Sequence, residues 1–157
     1  MKCLIKLFFS LHFLYRFFPH FSSALFCSWE LSLLFLISHS HLHAEKITAP
    51  DGAASDSFGI SVSHSGNILA VGAWEADLGG LSNAGAAYLY QLEANGSTTY
   101  LTKVTAPDGA ATDAFGYSVS QSGNILAVGA YYADPGGISE AGAAYLYQLE
   151  ANGTVTY

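Results

Sequence analysis

Carboxylates are the residues best placed by type and spacing to do chemistry in this chain. Asp51 and Asp56 flank a Gly-Ala-Ala-Ser loop, Asp108 and Asp113 flank Gly-Ala-Ala-Thr, and Asp77 and Asp134 each open a loop containing Gly-Gly. Paired carboxylates can act as general acid and base or hold a cation. Aspartate is equally a turn residue, because its side chain accepts hydrogen bonds from nearby backbone N–H groups. The pairs occur twice in register, and two equal copies suit a role in the fold better than a catalytic centre. His64 is the one histidine after residue 44, Gln121 stands at its counterpart position, and no Cys or Arg accompanies it there. A nucleophile, base and oxyanion arrangement therefore lacks its parts. The expectation is an enzyme-free reading, with catalytic residues none, metal ligands none and cofactors none. His39, His41 and His43 alternate near the start of the chain and would point one way on a strand, but no acid or thiol lies among them.

A second group emerges when the chain is laid on itself. Lys46–Tyr100 and Lys103–Tyr157 align at a constant offset, Phe58 on Phe115, and differ at 12 of 55 positions. Positions kept identical serve the repeating unit, while those that differ are free to serve a ligand. Trp74-Glu75 faces Tyr131-Tyr132, Leu78 faces Pro135, Leu81 faces Ile138 and Asn83 faces Glu140, all in one loop. Loops on a rigid scaffold gather binding residues, and Trp and Tyr are favoured contact residues. Trp74, Glu75, Tyr131 and Tyr132 are the candidate ligand-binding residues.

The elements that must position them are short strands. In the first copy, Phe58–Ser63 ends at Ser65-Gly66-Asn67, Ile68–Ala73 is a short apolar run, Ala86–Glu93 precedes Asn95-Gly96, and Thr98–Thr105 leads to Pro107-Asp108-Gly109. Asn95-Gly96 predicts a two-residue hairpin turn with positive φ at both positions. In Ala86–Leu92, Tyr88, Tyr90 and Leu92 share one face and Ala87, Leu89 and Gln91 the other, so both faces are partly apolar. Sheets stacked as blades have neighbours on both faces. A long repeat of this kind predicts an all-β array of two four-stranded antiparallel propeller-type blades, with small residues Gly72, Ala73, Ala86 and Ala87 where backbones crowd together. The divisions are a leader over 1–44, a first repeat over 45–102 and a second over 103–157 whose last strand is cut short.

Residues 1–44 differ in composition, being crowded with Phe, Leu and His. Lys2, Lys6 and Arg16 precede the apolar run Leu31–Ile37, and Ala44 suits cleavage, so the segment reads as an export signal, with an uncleaved membrane anchor as the second reading. Both cysteines, Cys3 and Cys27, lie in it. From Glu45 onward there are two lysines against eleven acidic residues, a net charge of −9 that repels phosphate backbones and argues against nucleic acid. Asn95-Gly96-Ser97 and Asn152-Gly153-Thr154 fit the N-glycosylation pattern, which an Asn-Gly hairpin would produce in any case.

Phe58-Gly59 followed by Val71-Gly72-Ala73, and Phe115-Gly116 followed by Val128-Gly129-Ala130, resemble the FG-GAP repeat, the unit of the integrin α-subunit β-propeller and of many secreted bacterial proteins. Lys-x-Thr-Ala-Pro-Asp-Gly and Gly-Ala-Ala-Tyr-Leu-Tyr are similar to the bacterial form. The resemblance implies a secreted or cell-surface module that binds a protein or carbohydrate in adhesion. The alternatives are accessory repeats of a larger secreted hydrolase and a propeller fragment without its own function. The family's acidic calcium loop is replaced by Ser63–Asn67 and Ser120–Asn124, which supply no carboxylate, so that site is not carried over. Two units fall short of a ring, which leads to the expectation of a homo-oligomer or a longer propeller.

Overall fold

The computed structural model describes residues 44–150 and 154–157, all within one unit, His43–Tyr157. The export reading, Cys3, Cys27, the row His39, His41, His43 and the turn at Asn152-Gly153 lie outside the described residues. Among those described, no helix is long and apolar enough to cross a membrane.

Eight strands form two sheets. β1 (Ser61–Ser65), β2 (Ile68–Ala73), β3 (Ala86–Leu92) and β4 (Thr98–Val104) pair in sequence order as blade 1, and β5 (Phe115–Ser122), β6 (Ile125–Ala130), β7 (Ala143–Leu149) and β8 (Val155–Thr156) repeat the order as blade 2. Every pairing is antiparallel. The expected all-β pair of four-stranded propeller-type blades is what the chain builds, and two blades do not by themselves close a ring.

Two local readings are corrected. The first strand starts at Ser61 rather than Phe58, because Ser57 and Gly59 take positive φ of 54° and 94° and the Ile60 N–H turns back to the Ser57 carbonyl. In blade 2 the same kink appears as a register shift between Phe115 and Ser118. The hairpin turns also exchange types. Asn95 keeps a negative φ, Gly96 alone is positive at 86°, and the Gly96 N–H reaches the Glu93 carbonyl while Glu93 pairs with Ser97. That is a three-residue loop ending in a glycine bulge. The two-residue turn falls at Gly66-Asn67, between paired Ser65 and Ile68, with Gly66 at +59° in the first central position.

Blade 2 lies against blade 1 through β5, which runs beside β1 and β2. Ala70, Ala87, Leu89 and Val104 from blade 1 meet Phe115, Leu126, Val128, Tyr145 and Tyr147 from blade 2 in one core cluster. Val71, Ala73, Tyr88 and Tyr90 form a second cluster on the opposite face of blade 1, covered by Ile47, Ala49 and Phe58. The partly apolar faces read in β3 thus both receive cover. Glycine is required where the blades touch: a Cβ on Gly72 would come within 2.0 Å of the Gly116 carbonyl oxygen, and one on Gly85 within 2.1 Å of the Phe115 oxygen.

Candidate functional site

The carboxylates are spent on holding loops. Asp56 and Asp113 are buried, and each accepts the N–H three residues before it, Ala53 at 2.7 Å and Ala110 at 2.8 Å. Asp77 and Asp134 accept the N–H groups of Asn83 and Glu140 across their loops. Asp51 and Asp108 accept the hydroxyl protons of Tyr88 and Tyr145, at 2.9 and 2.8 Å. Their rings lie against Phe58 and Phe115. No three His, Cys, Asp or Glu side chains converge as a metal site among the described residues.

These bonds mark the tyrosines as structural. Burial, then the hydrogen bond to the carboxylate, raises the ionisation of Tyr88 and Tyr145 well above the ordinary phenol range. Tyr90 and Tyr147 donate to the carbonyls of Thr48 and Thr105, and burial pushes each up to about 12. The Lys103 ammonium, 2.6 Å from Asp51, holds that carboxyl below its usual value.

The aromatic candidates behave differently. Trp74 stands edge-on to Tyr117 at 5.7 Å between ring centroids, Tyr117 stacks on Tyr131 at 5.3 Å, and Tyr131 stands edge-on to Tyr132 at 4.6 Å. Such contacts are favourable geometries for aromatic pairs. The result is one row crossing from blade 1 to blade 2. Tyr117, Tyr131 and Tyr132 are 44%, 59% and 40% exposed, and Trp74 is partly buried. The β2–β3 and β6–β7 loops carry three members. Tyr117 comes from β5, where its counterpart is Ile60; that Ile/Tyr difference between the copies was the signal for it, and it lies on a strand instead of in the variable loop. Glu75 does not join the row: the Ser57 hydroxyl donates to its carboxylate on blade 1.

Beside the row, an open cavity of about 500 Å³ is lined by Tyr117, Ser118, Tyr131, Tyr132, Glu140 and Gly142, among others. Its polar groups are one carboxylate, hydroxyls and backbone. It offers contact and hydrogen bonding.

Stacked antiparallel blades bearing an exposed aromatic row define a repeat-built scaffold of the propeller type. The chain belongs to the FG-GAP repeat family, whose profile matches it twice, over residues 43–90 and 99–147. The family is a non-catalytic structural and binding repeat. A comparison with curated proteins finds no match.

Proposed function

We propose that this chain is a binding module that works outside the cell, without catalysis of its own, and holds a protein or carbohydrate in adhesion. The observation that carries this reading is the row Trp74, Tyr117, Tyr131, Tyr132, which places large amphipathic rings at the surface of both blades. A surface aromatic cluster on a rigid sheet is costly to leave in water and is the kind of feature interaction sites use. Export is supported by the N-terminal pattern of Lys2, Lys6, the run Leu31–Ile37 and Ala44. The acidic charge after residue 44 favours ligands other than nucleic acid.

Glu140 lines the cavity beside the row and would serve as an acceptor for hydroxyl or amide protons of the ligand. The test is a screen of the purified chain against neutral oligosaccharide and extracellular-protein arrays, repeated with Tyr131→Ala and Tyr132→Ala. Loss of a positive signal in both variants, with their melting curves unchanged, is the expected result. Equal binding by wild type and variants would remove the row from the site.

A further inference from the structure

The contact between the two blades is built from parts that recur, unused, at the far side of each blade. At the internal junction the Ser61 hydroxyl donates to the Gly116 carbonyl at 3.0 Å, while the Ser63 and Ser65 hydroxyls accept the N–H groups of Gln121 and Gly123. The N–H groups of Thr112, Ala114 and Phe115 reach the carbonyls of Ser82, Asn83 and Ala84. Phe115 runs parallel to Gly85 as an isolated bridge. Blade 1 is thus a socket for the Phe115-Gly116 kink.

Blade 2 carries the same socket 57 residues on. Ser118, Ser120 and Ser122 replace the three serines without a change of residue type, Gly142 replaces Gly85, and the carbonyls of Ser139, Glu140 and Ala141 replace those of Ser82, Asn83 and Ala84. The cavity described above is this socket standing open. Apolar surface is left there too: Leu89 is 1% exposed in the junction, and its copy Leu146 is 64% exposed.

Blade 1 carries the matching plug. Ser55, Ser57 and Gly59 hold positive φ of 72°, 54° and 94°, as Thr112, Ala114 and Gly116 do at 70°, 57° and 89°. The plug is already in its docked shape, so little ordering cost remains. Phe58 is only half-buried where Phe115 is wholly buried, and Val62 is 63% exposed where Val119 packs into the junction cluster.

A strand edge completes the match. β4 pairs along β3 from Leu92 back to Ala87, whereas β8 pairs only with Gln148 and Leu149 of β7. Lys46-Ile47 stand at the repeat positions of Lys103-Val104, which pair with Tyr88 and Ala87. Tyr90 holds Thr48 to blade 1 as Tyr147 holds Thr105 to blade 2.

We propose that the open socket of blade 2 receives the Ser57-Phe58-Gly59 plug of a second copy of this chain. In that junction the Ser118 hydroxyl donates to the Gly59 carbonyl, Ser120 and Ser122 accept from the His64 and Gly66 N–H groups, and Lys46-Ile47 extend the sheet beside Ala144 and Tyr145. The contact is heterologous, so it repeats head to tail and closes when the rotation permits. Tyr131 and Tyr132 line this socket, so the second copy covers part of the aromatic row, as Trp74 is already partly buried in the occupied internal junction, while Tyr117 keeps its 44% exposure there.

The test uses the full chain and two substitutions at positions exposed in the single copy, Val62→Glu on the plug side and Leu146→Glu on the socket side. Light scattering is expected to give a mass of two or more chains for wild type at micromolar concentration. Each variant is expected to give the mass of one chain, with circular dichroism unchanged and the melting point of dilute, dissociated wild type. Mixing the two variants restores one intact junction and is expected to yield a dimer. A single-chain mass for wild type overturns the proposal and leaves the socket to a different partner. Variants that keep the wild-type mass overturn it, and a mixture that stays monomeric while wild type associates shows a contact other than head to tail.

Discussion

Tyr88 donates its hydroxyl proton to Oδ1 of Asp51 across 2.9 Å, while Oδ2 of the same carboxylate lies 2.6 Å from the Lys103 ammonium. One carboxylate thus ties the loop before blade 1 to β3 and β4. The lysine also sits over the Tyr88 ring at 5.6 Å from its centroid. An exposed ion pair contributes about 0–1 kcal/mol and is screened by salt, whereas stripping a buried hydroxyl of its acceptor costs about 1–3 kcal/mol. Asp51→Ala is therefore expected to lower the denaturant midpoint more than Lys103→Ala. The Lys103 bond, the largest influence on Asp51, lowers its ionisation. Its contribution is fully present above the unfolded carboxylate value and fades as pH falls through the lower folded one. Denaturant titrations of both variants across acidic pH check the order and the sign.

Alkali acts through the other partner. Tyr90 and Tyr147 ionise near 12 in the folded chain against 10.0 for the free side chain, because burial disfavours the phenolate. A group whose folded value is raised gives stability that is complete below the unfolded value and is lost as pH rises through the folded one. Stability is expected to hold to about pH 10 and to fall between about 10 and 12. Tyrosinate absorbance followed with circular dichroism checks this. Ionisation of these two tyrosines should coincide with the loss of β signal.

Much of this was legible in the repeat. The constant offset from Phe58 to Phe115, the two-faced pattern of Ala86–Leu92 and the small residues at Gly72 and Ala86 led to stacked four-stranded blades. What escaped was backbone torsion. Ser57 and Ala114 adopt positive φ although neither residue favours it, and the Phe-Gly kink takes this shape in blade 1, where no socket among the described residues receives it, as it does in blade 2, where blade 1 does. Asn95-Gly96 reads as a two-residue turn until the pairing of Glu93 with Ser97 fixes the loop at three. In the candidate site the loop residues Trp74, Tyr131 and Tyr132 were found by comparing copies. Tyr117 was not, because it joins the row only after β5 is laid beside blade 1. The separation of Glu75 from the row follows from Ser57, a contact between residues distant in sequence.

The glycines of the socket give a direct comparison of filled and open copies. Gly85 and Gly142 both have positive φ, 83° and 75°, so alanine costs about 1–2 kcal/mol of backbone strain at either. At Gly85 the added Cβ would also meet the Phe115 backbone at 2.1 Å, while at Gly142 the nearest atom is the Tyr131 oxygen at 3.1 Å. Gly85→Ala is expected to be the more destabilising by at least about 2 kcal/mol, since backbone must shift to admit it. Thermal melts of dilute protein decide this, and equal losses would contradict the difference in clearance.

Phe58 and Phe115 offer the sharpest contrast, because each lies against the two tyrosines of its own blade. Phe58 lies 5.6 Å from Tyr88 and 6.3 Å from Tyr90 between ring centroids, and Phe115 lies 5.5 Å from Tyr145 and 6.2 Å from Tyr147. Within the blade the two rings are therefore equivalent. They differ in what covers them: Phe115 is wholly enclosed because blade 1 lies over it, and Phe58 remains half-buried. Removing a fully buried phenylalanine costs about 3–5 kcal/mol through lost transfer free energy and the cavity left behind. Phe115→Ala should reach that range at any protein concentration, because its cover belongs to the same chain. Phe58→Ala should cost roughly half as much in dilute protein, since its side chain has less to lose from exposure. Its cost should then climb with concentration as a second copy's blade 2 closes over the ring, while the cost of Phe115→Ala stays level. Denaturation curves of both variants at low and high concentration measure the two slopes, and a concentration-independent Phe58→Ala would place no second copy on that face.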